Sequence, residues 1–311
     1  MAQPTITGSS FAGKAAGFYI SAALKEAKSL DYLTLMENIK YKSVIQKMSH
    51  GVDAASKGIL RNATCDFDST GKLELTEAVL EPKNLQINLN LCKKNLLESW
   101  EALQMRAGAG SPPPASFDDY VISYMGEIIA NATENNIWTG DGSTNGEFEG
   151  FLTATTGAFP VAATVNTASK VGAFDVSNII ENIQVLTTDM SDHLGNLLSK
   201  DDLYIYMNAK SYSLYISAIS ALAALPYAYM NEDYTPLFEG YKIAVCPGMA
   251  DNQLVAGEKS NLFFGTDLLS DQTRIQIMDM AQLDGSDNMR LVARYSSGVQ
   301  VGIGADVCWV S

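Results

Sequence analysis

The sequence has 311 residues, 47% apolar and 18% charged, which excludes a disordered chain and allows one large domain or two of ordinary size. A net charge of −14 at pH 7 speaks against bulk attraction to nucleic acid or to an anionic membrane. The charge is unevenly placed: residues 1–100 hold 12 basic and 10 acidic side chains, whereas residues 101–311 hold 9 and 25.

Residues 1–16 are small and polar and read as an arm, with no basic stretch leading into an apolar core as in a signal peptide. Residues 17–37 carry an imperfect apolar stripe (Phe18, Ala22, Leu24, Leu33, Met36) and are expected to be helical. Short strand-like pieces then flank a small-residue tip, HGVDAASKG, with Lys42, Lys47, Lys57, Arg61 and Lys72 around it. A two-stranded ribbon so poor in large apolar residues has no core of its own and needs something to lie on. The segment KNLQINLNLC (83–92) alternates Leu85, Ile87, Leu89 and Leu91 with Asn84, Gln86, Asn88 and Asn90, the period of a half-buried strand.

The breaker-rich RAGAGSPPPAS follows, and Ser116 is placed to cap a helix whose first turn holds Asp118 and Asp119. Phe117, Val121, Tyr124, Met125, Ile128 and Ile129 recur at three and four, predicting one apolar face along residues 117–137. Farther on, Asp175 suits the start of a helix bearing Ile179, Ile183 and Leu186. LYIYM (203–207), YKIAVC (241–246) and NLFFG (261–265) read as strands around a helix beginning at Ala209. That alternation predicts a compact α/β unit over residues 173–265, and strands close the chain from RIQIMDM onward.

Little in the sequence points to catalysis. His50 and His193 lie in no metal or base spacing, no serine sits in a GxSxG elbow, and no GxxxxGK[ST] phosphate loop occurs. Cys65, Cys92, Cys246 and Cys308 are scattered without CxxC spacing, which suits a reducing compartment and no zinc site. With no run of about 18 apolar residues to span a bilayer, the expectation is a soluble intracellular protein that is no enzyme and uses neither cofactor nor metal.

One stretch, IWTGDGSTNGEFEGFLT (137–153), invites a closer look because Asp141, Ser143 and Asn145 alternate ahead of Gly146 as in a calcium loop. The loop fails at its last position, where Leu152 stands in place of a bidentate carboxylate, and no helix follows. A structural turn is expected instead, with Gly140 and Gly142 supplying positive φ and Asp141 and Asn145 bonding locally. Trp138 and Phe151 anchor its two sides, and Gly146 and Gly150 are its remaining glycines.

The order of parts is a basic arm and ribbon, an amphipathic strand, a long helix, Gly140-Asp141-Gly142, Gly150-Phe151-Leu152 as a strand, an α/β insertion and closing strands. It resembles the major capsid proteins of tailed bacteriophages, the HK-ninety-seven-type fold shared with encapsulin shells, over nearly the whole chain. The resemblance implies an α+β fold with an N-terminal arm (1–39), an extended β-hairpin loop (40–72), a peripheral domain (73–172 and 266–311) with its spine helix at 117–137, and an axial domain (173–265). Phe117, Val121, Tyr124, Ile128 and Ile129 would form the spine-helix core, and Lys42, Lys47, Lys57, Arg61 and Lys72 would touch a neighbouring subunit.

What it implies functionally is a structural subunit that self-assembles through pentamers and hexamers into an icosahedral virion capsid in the host bacterial cytoplasm. Its partners would be further copies of itself, a portal, scaffolding or decoration proteins, and packaged double-stranded DNA held without sequence-specific contact. No long charged extension precedes the arm, which favours a separate scaffold or none. An encapsulin-type compartment and a calcium-dependent binding module are the competing readings.

Overall fold

The computed structural model describes residues 10–12, 27–51, 65, 72–92, 117–153, 157–162, 164–195, 197–221, 237–267, 274–280, 285–286 and 288–311. Strands β1 (Ser10–Ala12) and β2 (Thr34–Met36) come first, with a 3-10 turn over Lys28–Tyr32 between them. The ribbon strands β3 (Ser43–Gly51) and β4 (Lys72–Leu80) precede β5 (Lys83–Cys92), the long helix α1 (Phe117–Thr139) and the one-turn α2 (Ala158–Val161). Then follow β6 (Asn166–Ala168), α3 (Ile179–His193), β7 (Leu203–Met207) and α4 (Ala209–Ala221). Strands β8 (Leu237–Phe238), β9 (Tyr241–Val245), β10 (Leu254–Glu258), β11 (Leu262–Thr266), β12 (Arg274–Asp279), β13 (Asn288–Val301) and β14 (Val307–Val310) complete the order. The mixture is α+β, and no described helix is long and apolar enough to cross a membrane.

The 14-residue β13 organises the first sheet, ordered β1-β12-β13-β11-β2. Its first half is held between β12 and β5, and its second half pairs with β11. The alternation in β5 does what its period requires: Leu85 is buried while Asn84, Gln86, Asn88 and Asn90 are exposed. The second sheet runs β6-β14-β10-β7-β9-β8. Successive β7 side chains serve opposite faces, with Leu203, Ile205 and Met207 packing under α3 and α4 and Tyr206 packing toward the end of α1. Both faces of this sheet are therefore covered, as an α/β layer demands.

Two expected boundaries shift. β11 pairs with β13 and β2 in the first sheet, although it follows β10 directly and was expected in the 173–265 unit. The second sheet in turn recruits β6 and β14 from outside that range. Pairing is decided by which strand offers an open edge of matching length, and chain proximity does not reveal that. The expected helix at 17–37 is also corrected where it is described. Ser29 is buried in a 3-10 turn and Leu33 just after it, Thr34 Oγ1 donates to the Lys259 carbonyl, and β2 adds parallel to β11. Tertiary partners outweigh a weak stripe here; residues 17–26 lie outside the described residues.

The ribbon pairs nine residues on each side, from Ser43 with Leu80 to Gly51 with Lys72, so its return strand runs eight residues past position 72. Its root is fixed. Leu80 is fully buried beside Ile39, over the cross-strand pair Gly265 and Gly298. A Cβ on Gly265 would strike the Leu80 and Ile39 side chains, and one on Gly298 would press on the Pro82 backbone.

Candidate functional site: the helix-capping turn and the extended ribbon

An α-helix ends with four carbonyls that lack partners within the helix. In α1 those of Asn136, Ile137 and Trp138 accept from the N–H groups of Gly140 (3.2 Å), Phe151 (2.9 Å) and Leu152 (2.8 Å). The chain thus leaves the helix at Gly140, loops out, and returns as its own cap. Gly150-Phe151-Leu152, expected as a strand, has its N–H groups turned onto the helix end and joins no ladder.

The glycines serve this return by closeness. A Cβ on Gly140 would meet the Phe148 and Asn136 carbonyls, and one on Gly150 would lie 2.7–2.8 Å from the Asn136 and Trp138 backbone. The expectation that Gly140 and Gly142 supply positive φ is therefore corrected: Gly146 alone in this turn has it, at +90°. At Gly142 the nearest atoms to such a Cβ belong to the Glu149 side chain.

Asp141 Oδ1 accepts from the Ser143 N–H (3.0 Å) and Oγ–H (2.8 Å), which holds its carboxyl below the usual carboxylate range. Glu147 accepts from the Asp141 N–H at 2.9 Å, and Leu152 is buried in the apolar core. Among the described residues no three His, Cys, Asp or Glu side chains come together as a metal site.

Trp138, fully buried, links this turn to the rest. Its ring stacks at a tilt against Phe151 (5.5 Å) and Tyr206 (5.6 Å), and the series continues from Phe151 through Phe159 to Trp309 and from Tyr206 through Tyr204 to Tyr32. Such offset pairs add about 0.5–1.5 kcal/mol each beyond their buried area. Trp138 Nε1 donates to Ser29 Oγ at 2.7 Å. Ser29 in turn donates from its N–H (3.0 Å) and hydroxyl (2.5 Å) to the buried Glu134 carboxylate, which also accepts from Gly248 N–H at 3.2 Å. A buried carboxylate with three donors is satisfied without a counter-ion. Burial pushes the adjacent Cys246 thiol far up, so it is inert.

Ser29 and Glu134 escaped the sequence reading. The available signal was an acid lodged among Thr133, Ile137 and Trp138 on the apolar side of the helix.

The ribbon contrasts with this. Val44 and Val79 face each other across it, with Leu75 farther along the same face, and all three are exposed, as is Tyr41 at the root. Lys42 pairs with Glu81 of its own chain at 2.8 Å and lies 5.4 Å from the Tyr41 ring. The side chains of Lys47 and Lys72, and residues Lys57 and Arg61 altogether, lie outside the described residues.

No family model matches the sequence, and no curated protein matches it. The fold, however, has solved relatives. The capsid of a native GTA particle aligns with a TM-score of 0.57 at 12% identity, over 92% of this chain and 89% of that one. The procapsid of satellite phage P4, including its size-determination protein, gives 0.57 at 12%, over 94% and 98%. A virus-like particle from Pyrococcus furiosus gives 0.53 at 10%, over 96% and 99%. The chain has the HK-ninety-seven-type capsid fold.

The faces of α1 are assignable from burial. Met125, Ile129, Thr133 and Ile137 are buried, one turn apart. Ile128, expected in the core, is 38% exposed beside exposed Glu127, Asn131 and Asn135. Ile128 sits about 100° round from Ile129, off the buried face. The side chains of Phe117, Val121 and Tyr124 lie outside the described residues.

Proposed function

We propose that this chain is the major shell-forming subunit of a tailed-phage capsid, a structural protein that encloses double-stranded DNA. The observation that carries this reading is the reach of the fold likeness, which takes in 92% of the chain with the GTA capsid and 100% with the capsid of phage XM1. The ribbon adds a physical reason. It holds Val44, Leu75 and Val79 in solvent, and an adjacent copy would cover them. An acidic body, with 25 acidic and 9 basic side chains after residue 100, suits contact with packaged DNA that is loose and without sequence preference. Portal, scaffolding and decoration proteins would be its other partners, and assembly would take place in the host cytoplasm.

A second reading, a compartment shell, is favoured by the likeness to the Pyrococcus particle. Negative-stain microscopy of the purified chain tests both. Closed particles are expected, and their contents separate the readings: DNA in a phage head, protein cargo in a compartment. A species that stays monomeric at high concentration, with or without candidate scaffold, would overturn both.

A further inference from the structure

The sequence contains a single Asn-Gly pair, Asn145-Gly146, and the fold places it at the apex of the helix-capping turn. We infer that Asn145 is a site of spontaneous, self-catalysed deamidation, a modification written into the turn by its own backbone.

Both residues are exposed, and the Asn145 side chain has no hydrogen-bond partner among the described residues. The N–H of Gly146 makes no backbone hydrogen bond, although its neighbours do: Thr144 N–H reaches the Asp141 carbonyl and Glu147 N–H reaches the Thr144 carbonyl. Nothing outside its chain neighbours lies within 4 Å of the place a Gly146 Cβ would occupy, so no other part of the fold crowds this residue. The peptide joining the two residues can therefore turn without breaking the cap.

The Gly146 nitrogen attacks Cγ of Asn145, its proton passes to water or hydroxide, and ammonia leaves Cγ. A five-membered succinimide results. Water then adds to one of the two ring carbonyls, opening the ring to aspartate when it adds at Cγ or to isoaspartate when it adds at the main-chain carbon. The net change is an amide and water giving a carboxylic acid and ammonia, with no redox partner. Isoaspartate lengthens the main chain by one carbon, next to the Gly146 carbonyl that accepts from Asn136 Nδ2 at 3.3 Å. Either product adds a negative charge beside Asp141 and Glu147.

The same turn contains a control. Asp141-Gly142 is a second pair able to cyclise, with a carboxyl in place of the amide, but Asp141 Oδ1 is engaged by the Ser143 N–H and hydroxyl. Cyclisation needs the carboxyl freed and protonated, so this pair stays intact while its neighbour four residues on reacts.

The inference does not depend on the shell reading. Purified protein is incubated at mildly alkaline pH and 37 °C, digested at intervals and mapped by mass spectrometry, with isoaspartate quantified by enzymatic methyl labelling. Conversion concentrated at Asn145, with both products present, is expected, while Asp141, Asn88 and Asn131 remain unchanged. Asn145→Gln, whose longer side chain closes a ring far more slowly, should remove the signal and keep the melting temperature. No conversion at Asn145, or conversion no faster than at Asn88 and Asn131, would overturn the proposal. Equal isomerisation at Asp141 would overturn the protection argument with it.

Discussion

The turn after α1 and the ribbon of β3 and β4 are both excursions from the body, and they are held in opposite ways. The turn has few regular elements yet returns its N–H groups to the helix end and its aromatic rings to the core. The ribbon is regular along its described length, with nine ladder pairs, but among its described side chains only the root at Leu80 and Ile39 is buried. Regularity and anchorage are thus separate properties. A ladder satisfies backbone groups, whereas burial of apolar surface is what ties a segment to its own chain.

Breaking the anchored side should have the largest effect. Ile129→Asp buries an unpaired carboxylate and should cost about 3–5 kcal/mol, enough to abolish soluble expression, whereas Ile128→Asp at the exposed neighbour should still yield folded monomer. Equal yields would mean the helix faces are misassigned. Gly150→Ala should lower stability by roughly 1–3 kcal/mol through overpacking against the helix end, read by thermal melting, with Gly142→Ala clearly milder. Glu134→Gln turns one acceptor into a donor facing donors and should cost about 1–2 kcal/mol; a melting temperature unchanged within error would show that Ser29 and Gly248 find other partners.

On the ribbon, Leu75→Asn with Val79→Asn should shift the free chain's melting by no more than about 0.5 kcal/mol yet reduce particle yield by sedimentation. Loss of folding in the free chain would place that face in its own core. The smallest effect concerns pH. Hydrogen bonds from the Ser177 hydroxyl and N–H and the Asn178 N–H hold Asp175 below its ordinary 3.8. Because the folded value is the lower one, the stabilisation is full above 3.8 and fades as pH falls through the depressed value. Asp175→Asn should therefore lower the melting temperature slightly at neutral pH and flatten the acid limb of the profile, so that the two proteins converge at low pH.

Local periodicity carried much of the fold. β5 lies where its alternation put it, because a period of two has one structural meaning when one face is greasy. Partner choice was not legible. Nothing in NLFFG says that β11 leaves β10 for β13, and nothing in VCWV says that β14 enters the other sheet. The turn was legible as a turn and not as a cap, since the reason for Gly140 and Gly150 is the approach of carbonyls belonging to other residues. Ile128 shows the limit from the other side: a stripe locates a face only to within about one position.

Strand β14 lies between β6 and β10, and Asn166 on β6 reaches Val307 across 141 residues of sequence. Synthesis therefore delivers β14 long after the two strands it joins. Until β14 emerges, β6 and β10 present open edges on the ribosome, the kind of surface that invites wrong pairing. Chains broken off before residue 307 would lack that closure.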